Sequence, residues 1–479
     1  MGRLRRLAAV LGCLLPLSLL PVSDVATAPR ATPATTTQVY LPLVVSQRTV
    51  RRVNAPYFDV ADIGQSKFDE TVIFWFGRVT PAQNYADVRV AYNDVELYVH
   101  MAIFDRRLWY DESPSVGDLT QWDAVTLYLN TTGSSGGAPG TSAYRLIAQL
   151  SWWEERAGYQ ATYRGNASGW EAASVPMTTT AGWRGNAPLD DMDDRGWVME
   201  YRIPFSSLGL AAPPPPGSVW GMALAVHDRD DRAGAPIADE RWPETMNGDA
   251  PYTWGQLHFG LPVYSPPGAS SLQTVTIRQG LNGAAVPDAA IGGTTGNLCP
   301  GDDDFIWNVW GNSSFAGAPD FNIQNQSDVS DWPCFAKYYV TFPLSAIPPG
   351  KVIVSATLTL HHWGNSGPFD QVESSYVHVM TVGADWDEST LAWNNAPLAV
   401  ENVSQAWVPK VGSCDWPCVP RTWDVSRAVA QAHADGRPLR LALYSSDGAY
   451  QSGKFFTASD TGDWNAEGRP TLQVTFGDP

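Results

Sequence analysis

Short runs in which apolar and polar residues alternate, each closed by a turn signal, recur along almost the whole chain and restrict it to antiparallel β-structure. Val88-Arg89-Val90-Ala91-Tyr92 and the run from Glu96 to Phe104 are separated by Asn93-Asp94, which reads as a hairpin. The same period of two returns over 123–129, 144–150, 197–203 and 221–227, and again over 274–279, 352–362, 376–382, 439–444 and 471–476. One segment has a different rhythm: 426–434, preceded by Asp424 and ended by Asp435-Gly436, reads as a short capped helix. The 21 Trp, 18 Tyr, 42 Gly and 37 Pro suit short aromatic strands joined by tight turns. At 479 residues the chain is too long for one sandwich and suits two domains of roughly 200 residues each. The expected fold is all-β, two consecutive antiparallel β-sandwich (jelly-roll-like) domains after a signal peptide.

Arg3, Arg5 and Arg6 precede an apolar run over 7–22 and a small-residue stretch ending at Ala28, so 1–28 reads as a secretory signal peptide. Residues 29–52 follow as a Thr/Pro-rich linker with a short apolar segment, then a first sandwich over 53–264. Residues 265–271, Ser-Pro-Pro-Gly-Ala-Ser-Ser, form a second linker, and a second sandwich fills 272–479. Beyond the leader no apolar stretch reaches the ~20 residues of a membrane span, so no transmembrane anchor is expected. The expected location is secreted, extracellular or cell-surface. Removal of the leader takes away three arginines and Asp24, leaving the formal charge of -18 more negative still, which argues against a nucleic-acid partner. With Cys13 in the leader, Cys299, Cys334, Cys414 and Cys418 remain, an even number that reads as two disulfides in an exported chain. The expected pairs are Cys299 with Cys334 and Cys414 with Cys418. Zinc is the rival reading, but no histidine lies near either pair at ligand spacing.

An ordered series in the first half resembles family 9 carbohydrate-binding modules. It comprises Val88-Arg89-Val90-Ala91-Tyr92, Leu97-Tyr98-Val99, Asp105 at a strand end, Trp122-Asp123-Ala124-Val125-Thr126-Leu127-Tyr128, the run Gly196 to Phe205, Asp228 and Trp254-Gly255. That resemblance implies a glycan held between aromatic faces and polar groups. Arg145 matches a polar binding position, Trp122 and Trp109 lie near the first stacking tryptophan, and Trp242 lies near the second. It also implies structural calcium; no other cofactor is expected. The second half resembles the DNRLRE family of extracellular sandwich modules, some of which bind polysaccharides as appendages of lyases. Asp385-Trp386-Asp387-Glu388-Ser389-Thr390-Leu391-Ala392-Trp393-Asn394-Asn395-Ala396-Pro397 carries most of the similarity, with Trp423-Asp424-Val425-Ser426 and the terminal 469–476.

Trp152 and Trp153 are adjacent on a strand-like stretch, so alternation turns one of them outward, and Trp152 joins the candidate platform. Acidic runs at Asp190-Asp191, Asp193-Asp194, Asp302-Asp303-Asp304 and Asp228 with Asp230-Asp231 are either solvated turns or cation ligands. Glu154-Glu155 and Asp385 to Glu388 are the dense carboxylates outside turns that a glycosidase would need, the latter reading as a loop-fixing element. The seven histidines pair with no Cys or Glu in a zinc-enzyme motif, and no nucleophile elbow occurs. The expectation is a secreted, non-catalytic protein that binds polysaccharide or oligosaccharide. A cell-surface structural or adhesion protein is the alternative, and a glycoside hydrolase or polysaccharide lyase the weaker one.

Overall fold

A computed structural model describes residues 49–114, 119–151, 156–293, 299, 301–328 and 332–479. The leader, most of the first linker, Trp152-Trp153 and Glu154-Glu155 lie outside the described residues. Thr49–Pro479 forms one compact unit.

Its first strands are β1 (Arg52–Ala55), β2 (Val72–Thr80), β3 (Gln83–Tyr92), β4 (Glu96–Phe104), β5 (Ala124–Asn130), β6 (Ala143–Gln149), β7 (Gln160–Gly165) and β8 (Trp170–Ala172). Then come β9 (Thr178–Arg184), β10 (Gly196–Pro204), β11 (Val219–Asp228), β12 (Ile237–Trp242) and β13 (Gly255–Phe259). The second half contributes β14 (Ser270–Arg278), β15 (Asp288–Gly292), β16 (Asp320–Ile323), β17 (Ala336–Phe342), β18 (Val352–Asn365) and β19 (Ser375–Val382). It ends with β20 (Ala399–Val408), β21 (Val419–Asp424), β22 (Leu439–Ser445), β23 (Lys454–Thr457) and β24 (Thr471–Asp478).

Every alternating run of the sequence is a strand, and the fold is the expected pair of β-sandwiches. The Asn93-Asp94 turn closes the β3–β4 hairpin because the Asn93 side chain accepts from the Val95 and Glu96 amides, both at 2.8 Å. The expected helix is α3 (Ser426–Ala434), with Asp424 accepting from the Ser426 amide at 2.9 Å. Two short helices join it: α1 (Ile63–Ser66) and α2 (Asp303–Asn308). The second is what the Asp302-Asp303-Asp304 run does: Asp302 caps the helix through the Phe305 amide, Asp303 pairs with Arg195, and Asp304 accepts from Asn308.

In the first sandwich, the sheet β2-β3-β4-β10-β9 faces β13-β11-β5-β6-β7-β8, and alternate residues such as Phe74, Val88, Met101, Leu127 and Leu224 fill the space between. Gly196 stands where β10 meets β4, since a Cβ there would lie 1.9 Å from the Ile103 carbonyl oxygen. In the second sandwich, β15-β17-β22-β19-β20 faces β14-β24-β18-β23-β16 around Tyr338, Val340, Leu358, Leu441 and Val474. A third core lies between the sandwiches, where the outward residues of β2 and β3, Ile73, Trp75 and Tyr85, pack on Tyr339, Met380, Trp393 and Tyr444. β1 also joins the two, pairing in parallel with β13 and meeting β20 at Arg52 and Glu401. The loop over 385–397 docks on the first sandwich: Asn394 accepts from the Val79 amide at 2.8 Å and donates to its carbonyl at 2.9 Å. Both expected disulfides are present, Cys299–Cys334 and Cys414–Cys418.

Candidate functional site

Register across three neighbouring strands assembles an aromatic niche on the outer face of the first sandwich. Tyr128 on β5 stands opposite Arg145 on β6, and Arg145 stands opposite Tyr163 on β7. The strand beyond, β8, begins at Trp170, which the β7–β8 turn folds back over the same face. On the other side Ala223 of β11 lies opposite Tyr128, and small side chains at Ala143, Ala223 and Ala225 leave room for the Trp254 indole above them. Gly248 is needed beside it, because a Cβ there would come within 2.6 Å of the Tyr128 hydroxyl oxygen.

The rings are held at defined angles. Trp170 and Trp254 are parallel to within 3°, their centroids 6.4 Å apart, and Tyr128 leans against both at 5.9 and 5.4 Å. Each indole N–H is spent inside the protein, Trp170 on Asp249 and Trp254 on the Asn247 carbonyl, both at 2.9 Å. Arg145 is different. Its guanidinium carbon lies 4.0 Å from the Tyr163 ring centre and 5.5 Å from that of Trp170, yet the side chain has no hydrogen-bond partner among the described residues, and Nε is buried without one. A buried donor left unmade costs about 1–3 kcal/mol, and among the described residues nothing supplies this group's acceptor. Burial pushes the Tyr128 phenol up to about 12, keeping it a protonated donor over the working pH range. Trp254, itself 2% exposed, backs the niche, and the half-buried rings of Tyr128, Tyr163 and Trp170 beside N–H and O–H donors are the chemistry that takes the apolar C–H face and the hydroxyls of a pyranose.

Of the sequence candidates, Arg145 is the one at the centre of this niche. Trp109 and Trp242 turn inward instead, 6% and 2% exposed, with Trp242 packed on Phe74 at 4.4 Å, so neither offers an open face. Trp122 is half-buried under the Arg229 guanidinium, 4.3 Å from its ring, beyond the end of β5 opposite to Tyr128. Trp152 lies outside the described residues. Tyr128, Tyr163, Trp170 and Trp254 are the partners that sequence reasoning did not place; the alternation of 123–129 and 144–150 identified the face, but the pairing register did not follow from it.

At one end of the same sandwich three carboxylates converge: Asp105 after β4, Asp123 before β5 and Asp228 ending β11, with ligand atoms all within 4.8 Å of one another and all buried. Asp105 accepts from the Trp197 indole at 3.1 Å, and Asp123 from the Trp109 and Arg229 amides at 2.6 and 2.9 Å. One oxygen of Asp228 has no partner among the described residues. Burial, then neighbouring Asp230, pushes the Asp228 carboxyl up to about 8. Buried oxygens that repel one another fit a hard divalent cation such as calcium. The Asp190 to Asp194 run does not join this trio: Asp193 is occupied by Arg106 and Arg107 at 2.9 and 3.1 Å.

A relay of another kind occurs on the outer face, where the Thr126 hydroxyl meets His227 Nε2 at 2.8 Å and His227 Nδ1 meets Asp239 at 2.8 Å. The order resembles a nucleophile, base and acid. Thr126 is 1% exposed, however, and its hydroxyl is closed to a substrate. Asp387, in the dense acidic run before Trp393, folds back on its own loop, accepting from the Ser389 amide at 2.8 Å.

Residues 294–475 match the sequence profile of carbohydrate-binding module family 96. No curated protein matches the chain. Among solved structures, a family 9 carbohydrate-binding module from Caldicellulosiruptor kristjanssonii in complex with cellotriose is similar over 45% of this chain and 100% of its own, at 16% identity and a TM-score of 0.33. The complex of a family 9 module from that organism with glucose gives 17% identity over the same shares and a TM-score of 0.32.

Proposed function

We propose that this chain is a secreted, non-catalytic carbohydrate-binding protein whose first sandwich holds a glycan at the Arg145 niche. The observation that carries the proposal is the Arg145 guanidinium, set among aromatic rings without a hydrogen-bond partner among the described residues. The match of residues 294–475 to a carbohydrate-binding family supports the ligand class. A sugar ring stacks on the open aromatic surface while its hydroxyls accept from Arg145 and exchange hydrogen bonds with Tyr128. Few groups contribute, so a single site binds weakly and the second sandwich, of DNRLRE type, adds avidity or spacing. Calcium bound by Asp105, Asp123 and Asp228 would supply the positive charge that keeps three buried carboxylates ionised and ties both sheets together. Added calcium then raises the melting temperature at pH 8 and a chelator lowers it, and Asp123→Asn removes the difference.

The test is depletion of the full chain from solution by a panel of soluble and insoluble polysaccharides, with Arg145→Ala and Trp170→Ala alongside. Saturable binding to one polysaccharide, weakened at least about ten-fold by either substitution, is the expected result. Absence of binding across the panel would favour the structural reading, to which the apolar core shared by the two sandwiches lends a specific observation, a fixed spacing for display.

A further inference from the structure

We infer that the second sandwich carries its own glycan platform, built from Trp363, Trp416 and Trp464, and that it takes a neutral polysaccharide chain. The inference rests on the carbohydrate-binding reading above and adds a site of different construction. Trp363 lies near the end of β18, next to His362, which pairs with Val419 at the start of β21. The five residues before β21 form the Cys414–Cys418 loop, so the disulfide presents Trp416 beside Trp363, with ring centres 6.2 Å apart. Phe455 of β23, opposite Gly364, supports the Trp363 ring from another side at 5.6 Å. Trp464, in a short 3-10 turn before β24, then stands perpendicular to Trp416 at 86° and 5.2 Å.

These are not core residues with a ragged edge. Trp416 is 50% exposed and Trp464 69% exposed, the highest exposure of any described tryptophan among the large apolar side chains at the surface. A contiguous indole surface of this kind marks a binding face rather than ordinary surface composition. Two perpendicular rings form a corner in which one pyranose can stack on a face while its edge meets the neighbouring ring. Closure of the loop limits the freedom of Trp416 before binding, so less is lost in ordering it.

Charge selects the occupant. Each exposed indole follows an exposed carboxylate, Asp415 before Trp416 and Asp463 before Trp464, and the chain as a whole carries -18. Asp463 receives one bond from Arg469 at 2.8 Å while its side chain remains 96% exposed. Carboxylates accept from sugar hydroxyls and repel uronates and sulfates. The patch also lies wholly within the residues that match the carbohydrate-binding family. The combination favours neutral chains over anionic ones.

The experiment compares the full wild-type chain, Trp416→Ala/Trp464→Ala, Trp464→Ala alone and Arg145→Ala in affinity electrophoresis. The probes are xylan, glucomannan and hydroxyethylcellulose as neutral chains, and alginate and polygalacturonate as anionic ones. Sedimentation of each protein and a thermal melt run in parallel. The expected result is that the double variant binds a neutral polysaccharide at least about ten-fold more weakly than wild type, with its melt unchanged. Trp464→Ala alone, at the most exposed position, gives part of the loss and covers the case in which the double variant fails to fold. If the tryptophan variants bind like wild type while Arg145→Ala does not, the platform falls and the first-sandwich site stands. The opposite pattern keeps the platform and removes the Arg145 niche. Preference for alginate or polygalacturonate, or binding to nothing in the panel, overturns the inference. So does self-association of wild type that the double variant abolishes, since the occupant is then a second copy of the chain.

Discussion

Arg145 and Lys337 are built into the molecule in the same way and end in opposite environments. Each is a basic side chain on the outer face of a sandwich sheet, surrounded by aromatic rings. Arg145, half-buried, meets Tyr163 and Trp170 on the outer face of the first sandwich. Lys337, on β17, is 1% exposed, its Nζ 3.6 Å from the Trp393 ring centre and 4.2 to 4.7 Å from those of Trp75, Tyr85 and Tyr444. It donates to the Tyr85 hydroxyl, which donates in turn to Asp87 at 2.8 Å; Tyr444 and Asn325 donate to Asp87 at 2.7 and 3.0 Å. One sandwich supplies Asp87, Tyr85 and Trp75, and the other supplies Lys337, Trp393, Tyr444 and Asn325. The same combination of rings and a basic side chain serves as an adhesive where a second sheet covers it, and forms the proposed ligand site on the outer face of the first sandwich.

The largest break in this comparison is Asp87→Ala, which strands three buried donors between the sandwiches. It is expected to lower stability by about 3–5 kcal/mol in denaturant melts, with polysaccharide binding per folded molecule unchanged. Arg145→Ala is the mirror experiment: about ten-fold weaker binding by titration, with stability within about 0.5 kcal/mol of wild type. A pH series sharpens the difference further. Burial holds the Lys337 pKa well below the usual lysine range, so the folded chain binds fewer protons than the unfolded one over the window below about 10.4. Stability contributed by this group is therefore complete above that value and is lost as pH falls toward the folded pKa. In melts between about pH 8 and 10, wild type should gain stability relative to Lys337→Met by at most about 1.4 kcal/mol per pH unit. The smallest effect belongs to Trp122→Ala, which removes one exposed ring–guanidinium contact with Arg229: about 0.5–1 kcal/mol of stability and no change in binding.

Arg145 was legible because resemblance placed it at a polar position on a strand whose alternation was clear. Its ring partners were not. Tyr163 and Trp170 reach Arg145 through two further strand pairings, and Trp254 arrives from a loop roughly a hundred residues later in the chain, so no local pattern joins them. Trp242 was a candidate because resemblance placed it near the second stacking tryptophan, yet the position packs on Phe74 in the core, where an indole is equally at home. The acidic runs divide similarly. Asp302 to Asp304 needed only a helix start to be explained, whereas Asp105, Asp123 and Asp228 are scattered in sequence and meet because three strands end at one rim of the sandwich.

The sequence by itself determined eleven of the 24 described strands, the Asn93-Asp94 turn, the short helix over 426–434 and the expected pairing of the four cysteines, because each depends on local chemistry or on few possible partners. Only the tertiary structure decided which aromatic clusters are open and which are sealed. Val72-Ile73-Phe74-Trp75-Phe76 is apolar on both faces of β2, the one local sign that its sheet is covered twice. What covers the second face is the other sandwich, brought there by contacts more than two hundred residues apart, and burial set by such contacts turns ring-bound Lys337 into core while Arg145 stays half-buried on an outer face.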